Sequence, residues 1–237
     1  MTRPLSAPIA LGRARAAACL ALLAALSWAP SASAQLAVGV DLSGGPSLSV
    51  LGTGGTVTLQ GVPVPLGRVD YPTAVGLDLR ARLSVRSGVW GVRLGAGYLS
   101  ASDVFDGASL FNQEGVTLQF AVATLELTAT QPVGALGLPA VLVVGLGPEL
   151  RALVSERSPE SGLGRYLGDV GEGHVAVGAS VALLVPVGAG VALGPELRGG
   201  YALGPFSDDT IDVLGGVARL DGDFRFHHLS GGLTVAF

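Results

Sequence analysis

The sequence predicts an all-β protein, an eight-stranded antiparallel up-and-down transmembrane β-barrel with short turns at one end and longer loops at the other. Apolar and polar residues alternate in about eight separate segments, and the intervals between these segments are alternately short and long. The chain has 37 glycines and a mean hydropathy of +0.56, yet no apolar run of 18 residues. A helical membrane protein would show continuous apolar spans, whereas a barrel faces lipid on alternate residues only.

The N-terminal segment has the pattern of a secretory signal. Arg3, Arg13 and Arg15 give it positive charge, and an apolar run follows at 16–26. The run is too short to cross a bilayer as a helix, which needs roughly 20 residues. Ala32-Ser33-Ala34 then offers small residues at the spacing of a cleavage site.

Two regions are therefore expected, a cleaved signal peptide at 1–34 and an outer-membrane β-barrel domain at 35–237. The single cysteine, Cys19, lies in the signal. The mature chain is then expected to have no disulfide and no Cys-based metal site.

The charge of the predicted mature chain excludes one class of partner. Removing the signal leaves 11 arginines against 18 Asp and Glu, and the sequence contains no lysine. An acidic chain of this kind does not fit a nucleic-acid-binding protein, because phosphate backbones are bound by clustered positive charge.

The predicted strands follow in order along the chain. A strand separates apolar and charged residues onto two faces, whereas a helix would spread them around its circumference. Strand 71–86 shows this best, with apolar side chains at six consecutive odd positions from Val75 to Val85 and charged or small ones between them. The eight strands are expected at 36–50, 71–86, 90–100, 115–130, 139–153, 172–185, 191–203 and 224–237.

The connections between these strands orient the barrel. Short turns are predicted at Ser87-Gly88, 131–138 and Pro186–Gly190, and longer loops at 51–70, 101–114, 154–171 and 204–223. Outer-membrane barrels have short periplasmic turns and long external loops. Both ends of the domain are therefore expected in the periplasm, with no periplasmic domain after residue 237.

Two irregularities are expected within the strands. In strand 115–130, Val116, Leu118, Phe120 and Val122 are predicted to face outward. The apolar phase then changes near Ala123-Thr124, where Leu125 and Leu127 take the apolar positions, which predicts a β-bulge there. The string GPELR occurs at 147–151 and at 194–198. Because proline lacks the N–H of a ladder hydrogen bond, a bulge at each Gly-Pro is expected to turn the following Glu and Arg inward.

Aromatic residues near the predicted strand ends suggest two girdles at the membrane interfaces. The predicted girdle residues are Tyr71, Tyr98, Tyr201, Phe224 and Phe226 at the external ends, and Trp90 and Phe237 at the periplasmic ends.

The polar faces of the strands carry most of the charge, and they predict a network inside the barrel. An eight-stranded barrel is just wide enough for side chains to fill it, so charges there must be paired and hydrogen-bonded. Inward glycines leave room for the long arginines. The predicted network comprises Asp78, Arg80, Arg82, Arg93, Glu126, Glu149, Arg151, Glu172, His174, Glu196, Arg198 and His228.

The alternatives are a narrow gated channel, a lipid-modifying esterase and a soluble lipocalin-like binder. An esterase would use the His228-Leu229-Ser230 pair with a carboxylate such as Glu196 or Glu172. However, the alternation ending at Phe237 points His228 and Ser230 into the lumen, away from lipid. A soluble binder would require the inverse placement of charge. The sequence therefore predicts no enzyme, no catalytic or metal residues and no cofactor, and the acidic loops are expected to be solvated.

The closing string HHLSGGLTVAF, the GPELR repeat and Arg198-Gly-Gly-Tyr201 resemble the eight-stranded outer-membrane β-barrel domain of Bacteroidetes-type bacteria, which is similar in architecture to OmpA/OmpX-type barrels. The terminal Phe237 resembles the signal read by the barrel-assembly machinery. The resemblance implies a monomer in the outer membrane of a Gram-negative-type bacterium, with a structural or interaction role. Its expected contacts are outer-membrane lipid, lipopolysaccharide and, through the external loops, surface partners.

Overall fold

The computed structural model of the chain describes residues 36–59, 61–70, 74–104, 116–135, 138–157, 173–188, 190–204, 210–213 and 218–237. The predicted signal peptide lies outside these ranges. The strands are β1 (Leu36–Leu59), β2 (Val62–Asp70), β3 (Ala74–Ser87), β4 (Trp90–Val104), β5 (Val116–Ala135), β6 (Leu138–Arg157), β7 (Gly173–Gly188), β8 (Val191–Ala202), β9 (Thr210–Val213) and β10 (Ala218–Ala236). Within the described ranges, no helix has the length and apolar character to cross a membrane.

Eight of these strands form a closed antiparallel barrel, which confirms the predicted fold class. They pair in the order β1-β3-β4-β5-β6-β7-β8-β10, and β10 returns to pair with β1. The remaining two strands extend the barrel at one end, since β2 pairs with the second half of β1 and β9 pairs with the start of β10.

The two ends of the barrel differ in their connections, and we call them the turn end and the loop end. At the turn end, β3 leads to β4 through Gly88, and β7 leads to β8 through Gly190. Both glycines have positive φ, 62° and 79°, which a residue with a Cβ rarely adopts. The loop end carries the longer connections and the β2 and β9 extensions.

The predicted loop at 51–70 is wrong. β1 continues through it to Leu59, and β2 returns over Val62–Asp70 after Gly61, whose φ is 84°. Glycine and threonine are frequent in this segment and obscure its alternation of apolar and polar residues. Unlike Leu or Val, they do not indicate whether a position faces the lipid side or the lumen. The pairing partners on both sides of β1 hold the segment extended.

The predicted bulge at Ala123-Thr124 is also wrong. β4 and β5 keep one register from Trp90↔Ala129 to Ala101↔Leu118, and the alternation of β5 is unbroken. Its even positions face inward throughout, including Leu118, Phe120 and Val122, which are 0–4% exposed. The expected phase change came from assigning these apolar residues to the lipid side.

The two GPELR strings share a local design, but it is not a bulge. The register of β5 with β6 is the same before and after Pro148, and that of β7 with β8 is the same around Pro195. In each string the glycine lies against a backbone carbonyl of the preceding strand, so close that a Cβ could not fit. Alternation alone turns the glutamate and arginine inward.

The outer surface of the barrel is an apolar belt. Leu77, Leu79 and Leu83 of β3 are 46–51% exposed, whereas Arg80 and Arg82 between them are only 4% and 2% exposed. The steps from Val75 to Val85, at about 3.3 Å each and a tilt of about 40°, cover roughly 25 Å along the barrel axis. This height matches the apolar band of membrane barrels, and the placement of charge is the inverse of a soluble binder.

Candidate functional site

The structure brings most of the predicted lumen charges together inside the barrel. Eleven of the twelve are buried, and Glu172 lies outside the described residues. Within the described ranges, the buried charges are five arginines and five carboxylates, so the interior is neutral apart from its histidines. We call these ten residues the charged network: Asp41, Asp78, Arg80, Arg82, Arg93, Glu126, Glu149, Arg151, Glu196 and Arg198.

Glu196 on β8 is the most highly coordinated carboxylate of the network. Arg82 donates one hydrogen bond to each of its oxygens, at 2.6 and 2.8 Å, in the bidentate geometry that suits a guanidinium. Arg198 donates a third, at 2.8 Å, and the hydroxyl of Thr234 donates a fourth. Four donors from three strands fix this side chain in the middle of the barrel.

Asp78 on β3 joins a second group of partners. Arg80 donates to Oδ1, and the hydroxyl of Ser230 donates to Oδ2 at 2.8 Å. Arg198 Nη1 lies 4.0 Å and His228 Nε2 lies 3.6 Å from the same Oδ2. Arg198 therefore bridges Asp78 to Glu196, and the two groups are one network.

Arg151 on β6 ends the network toward the loop end. Its Nε donates to Glu149 at 2.5 Å, and Glu149 is in turn 3.4 Å from Arg80. Its two other nitrogens reach the carbonyl oxygen of Phe226 at 2.5 Å and Nδ1 of His228 at 2.8 Å. Each of the three guanidinium nitrogens of Arg151 therefore has a hydrogen-bond partner.

Asp41 on β1, which was not among the predicted lumen residues, closes the network toward the turn end. Its Oδ2 lies 2.9 Å from Arg93 Nε, and Arg93 lies 3.9 Å from Glu126. Leu36, Val38, Val40 and Leu42 alternate outward around it. That pattern was visible in the sequence and would have identified Asp41 as an inward charge.

Glycines on neighbouring strands make room for these arginines. A Cβ built at Gly97 would lie 3.2 Å from Arg80 Nε, and one at Gly95 would lie 2.8 Å from Arg82 Cγ. One at Gly200 would meet the side chain of Arg151. The small residues and the long ones therefore fill the lumen together.

Above the network, toward the loop end, the lumen is filled by hydrocarbon. Phe120 and Phe226 contact each other with their ring centroids 4.9 Å apart, and the guanidinium carbon of Arg151 lies over the face of Phe226, 5.8 Å from the ring centroid. We call the fully buried residues here the apolar layer: Leu99, Ala101, Leu118, Phe120, Leu153, Ala176, Ala202 and Phe226, each 0% exposed.

The assignment of Phe226 to the outer aromatic girdle is therefore wrong. Phe226 shares its parity on β10 with His228 and Ser230, and all three point inward. Strand-end position alone suggested the girdle, but a two-residue period decides which face a ring occupies.

The other girdle residues have different positions. Tyr201 and Phe237 are 55% and 57% exposed, Trp90 is 37% exposed and Tyr98 is half-buried. Tyr71 lies outside the described residues, and the side chain of Phe224 is not described. Tyr201 stacks on His227 with the ring centroids 4.5 Å apart.

The His228 and Ser230 side chains do not form a nucleophile and base pair. The Ser230 hydroxyl donates to Asp78 rather than to a histidine nitrogen, and both side chains are buried below 8% exposure. A serine nucleophile requires a base that takes its proton and a route for the substrate. Here the carboxylate holds the hydroxyl, and the apolar belt separates it from lipid.

The turn end of the lumen opens into a cavity of about 290 Å³. Its walls have different chemistry. One side is polar and is lined by Ser84, Arg86, Thr128 and Thr130, and the opposite side is apolar. The Asp41–Arg93 pair also lines the cavity and lies between its polar side and the rest of the network. The apolar wall includes Val141, Val143, Leu184 and Val191.

The acidic residues predicted in the external loops lie largely outside the described ranges or have side chains that are not described. Among the residues that are described, no cluster of His, Cys, Asp or Glu has the arrangement of a metal site.

The sequence matches no protein-family model, and no curated protein matches it. The structure is similar to OprG from Pseudomonas aeruginosa, with a TM-score of 0.54, 14% identity and coverage of 86% of this chain and 98% of that chain. The similarity to Neisserial surface protein A has a TM-score of 0.46 at 10% identity, and it covers 86% of this chain and 99% of that chain. The similarity to Ail from Yersinia pestis has a TM-score of 0.32 at 12% identity, and it covers 84% of this chain and 99% of that chain.

The resemblance to the Bacteroidetes-type family stays a prediction, because no comparison tests it. The likeness to OprG, together with the closed strand order, identifies this chain as an eight-stranded antiparallel β-barrel with the fold of outer-membrane barrels.

Proposed function

We propose that this protein is a monomeric integral outer-membrane β-barrel with a structural and interaction role, whose lumen is closed by its own side chains. The observation that carries the proposal is the separation of surfaces: an apolar belt about as tall as a hydrocarbon band surrounds an interior with equal numbers of buried arginines and carboxylates. No soluble protein exposes so much continuous apolar surface without an unfavourable free energy.

The lengths of the connections between strands suggest how the barrel is oriented in the membrane. Barrels in outer membranes place short turns in the periplasm and long loops outside. The loop end, with its β2 and β9 extensions, would then face the exterior and contact lipopolysaccharide or surface partners. Export would use the predicted signal peptide, and assembly would use the strand that ends at Phe237.

Two adjacent groups of inward side chains, the charged network and the apolar layer, would close the lumen. The charged network leaves a cavity of about 10 Å³ beside Asp78, Glu196 and Ser230, which is the space of about one water molecule. The apolar layer above it is mainly hydrocarbon, and the His174 ring packs against Phe120 within it. Together they make a plug rather than a pathway.

The proposal predicts two results for the purified protein. First, the barrel should require detergent and migrate differently on gels before and after heating. Second, a planar bilayer containing it should show no stable single channels. Water solubility without detergent would contradict the membrane placement.

Stable channels would favour the alternative, a narrow gated channel for small polar solutes. The observation in its favour is the cavity at the turn end, which brings solvent to the Asp41–Arg93 pair. In that case conductance should change when Arg93 is replaced, because it lies at the base of the cavity.

A lipid-modifying esterase is not proposed. The bonding of Ser230 to Asp78 and the burial of both side chains support a structural role instead. A lipid deacylase activity that is abolished by Ser230→Ala would overturn this part of the proposal.

A further inference from the structure

The cavity at the turn end has the features of a binding site rather than of a simple opening. Its volume of about 290 Å³ is at the lower end of the roughly 300–1,000 Å³ that ligand pockets span. It is blind, because the charged network and the apolar layer fill the lumen beyond it. A molecule that enters must leave by the same mouth.

The two walls of the cavity select an amphiphile. Hydroxyl groups of Ser84, Thr128 and Thr130 lie on the wall formed by β3 and β5. The wall formed by β6, β7 and β8 presents Val143 and Leu184. A ligand with one polar end and one hydrocarbon end would match both walls at once.

The charge of the polar wall indicates the sign of the polar end. Arg93 and Asp41 lie 2.9 Å apart and largely neutralise each other. Arg86 also lines the cavity and is exposed at its mouth, and no carboxylate in the described part of the chain pairs with it. The Ser84 hydroxyl already donates to the Gly39 carbonyl oxygen at 3.2 Å, which leaves the hydroxyls of Thr128 and Thr130 on this wall as donors to a ligand. A carboxylate is the natural partner of a guanidinium with such donors on the same wall.

We propose that this cavity binds a small monoanionic amphiphile, a carboxylate attached to a short hydrocarbon or aromatic group. The carboxylate would lie at Arg86 and the hydroxyls, and the hydrocarbon would lie against Val143 and Leu184. The cavity volume limits the ligand to a small molecule rather than a whole lipid. This inference goes beyond the proposed structural role and rests on the closed lumen proposed above, which the conductance recording tests separately from ligand binding.

The test uses the full barrel in lipid nanodiscs and three water-soluble probes with one hydrocarbon part: 3-phenylpropanoate, 3-phenylpropanol and 3-phenylpropylamine. Binding is measured by calorimetry, with empty nanodiscs as the blank. The expected result is saturable one-to-one binding of the carboxylate, with the alcohol weaker and the amine weakest.

Variants then locate the site. Arg86→Gln should weaken binding of 3-phenylpropanoate by about tenfold or more, the effect of losing a charge-assisted hydrogen bond. Arg225→Gln, at the other end of the barrel, should leave it unchanged. Ala192→Phe should abolish binding by filling the cavity, whereas Leu193→Phe, on the outer face of the same strand, should not.

Three results would overturn the proposal: no saturable binding above the blank, binding of the amine as tight as that of the carboxylate, or an unchanged affinity in Arg86→Gln. If Ala192→Phe does not fold, Arg86→Gln still decides the question, because Arg86 is exposed and lies outside the charged network.

Discussion

The charged network and the apolar layer fill neighbouring parts of one lumen by opposite means. The network pairs ten buried charges through ion pairs and hydrogen bonds, many of which join different strands. Among the described residues, a few of its buried atoms, such as Arg82 Nε and Arg198 Nε, have no hydrogen-bond partner. The apolar layer needs no partners, only contact among rings and aliphatic groups. Burial of charge stabilises a fold only when every group is satisfied, whereas burial of hydrocarbon is favourable residue by residue.

This difference predicts how the two regions respond to damage. Removal of one member of the network leaves other buried charges unsatisfied, so its effect extends across the lumen. Removal of a ring from the apolar layer leaves a local cavity.

Glu196→Leu should lower the free energy of unfolding by about 3–5 kcal/mol, because it leaves Arg82 and Arg198 buried without their main acceptor. Urea unfolding from lipid vesicles, followed by the fluorescence of Trp90, measures this loss. Glu196→Gln retains the shape and an acceptor oxygen and should lose less. Equal stability of Glu196→Leu and the wild type would show that the network is hydrated rather than tightly paired.

Phe226→Ala should lower the same free energy by about 3 kcal/mol, since it removes a fully buried ring that packs on Phe120. Phe226→Leu, which keeps most of the volume, should lose less than about 1.5 kcal/mol. If both substitutions had the same small effect, the apolar layer would be loosely packed and the contrast with the network would weaken.

Gly97→Ala should lower stability by about 1–3 kcal/mol, because its Cβ would collide with the Leu79 carbonyl oxygen and with the Arg80 side chain. Gly134→Ala is the matched control, since nothing lies within 4 Å of a Cβ there. The same unfolding measurement applies. A neutral Gly97→Ala would mean that the backbone of β3 and the Arg80 side chain can both move without disturbing the network.

Ser230→Ala should have the smallest effect, about 1 kcal/mol, because Asp78 keeps Arg80 as a donor when the hydroxyl is lost. Ser87→Ala, at an exposed turn, should be close to neutral. A loss of several kcal/mol in Ser230→Ala would show that the hydroxyl bond controls the position of Asp78.

The sequence was sufficient to predict the barrel and the inward position of most of its charged side chains. Two-residue alternation assigned the charges of β3 and the strand that ends at Phe237, because charged side chains leave little ambiguity about which face avoids lipid. The network lies where that alternation indicates, and Asp41 would have been found by applying the same pattern to β1.

The apolar layer could not be predicted in the same way. In a membrane barrel an apolar residue fits both the lipid side and a dry lumen, so Leu118, Phe120 and Phe226 gave no signal of their own. Only the parity of the neighbouring polar residues, such as Thr124 and His228, determines their face. Contacts such as Arg151 with Phe226, which come from strands far apart in sequence, are set by the closed register.

The pairing of β1 with β10 joins strands separated by nearly the whole length of the domain, from Asp41↔Ala236 to Leu59↔Ala218. Contacts between residues so far apart in sequence make folding slow. The chain must lose conformational entropy to bring these strands together before their pairing can stabilise the barrel. Until that meeting, both terminal strands present bare hydrogen-bonding edges that could recruit other chains. We therefore expect the unfolded chain to need protection from aggregation until β1 and β10 pair and close the barrel.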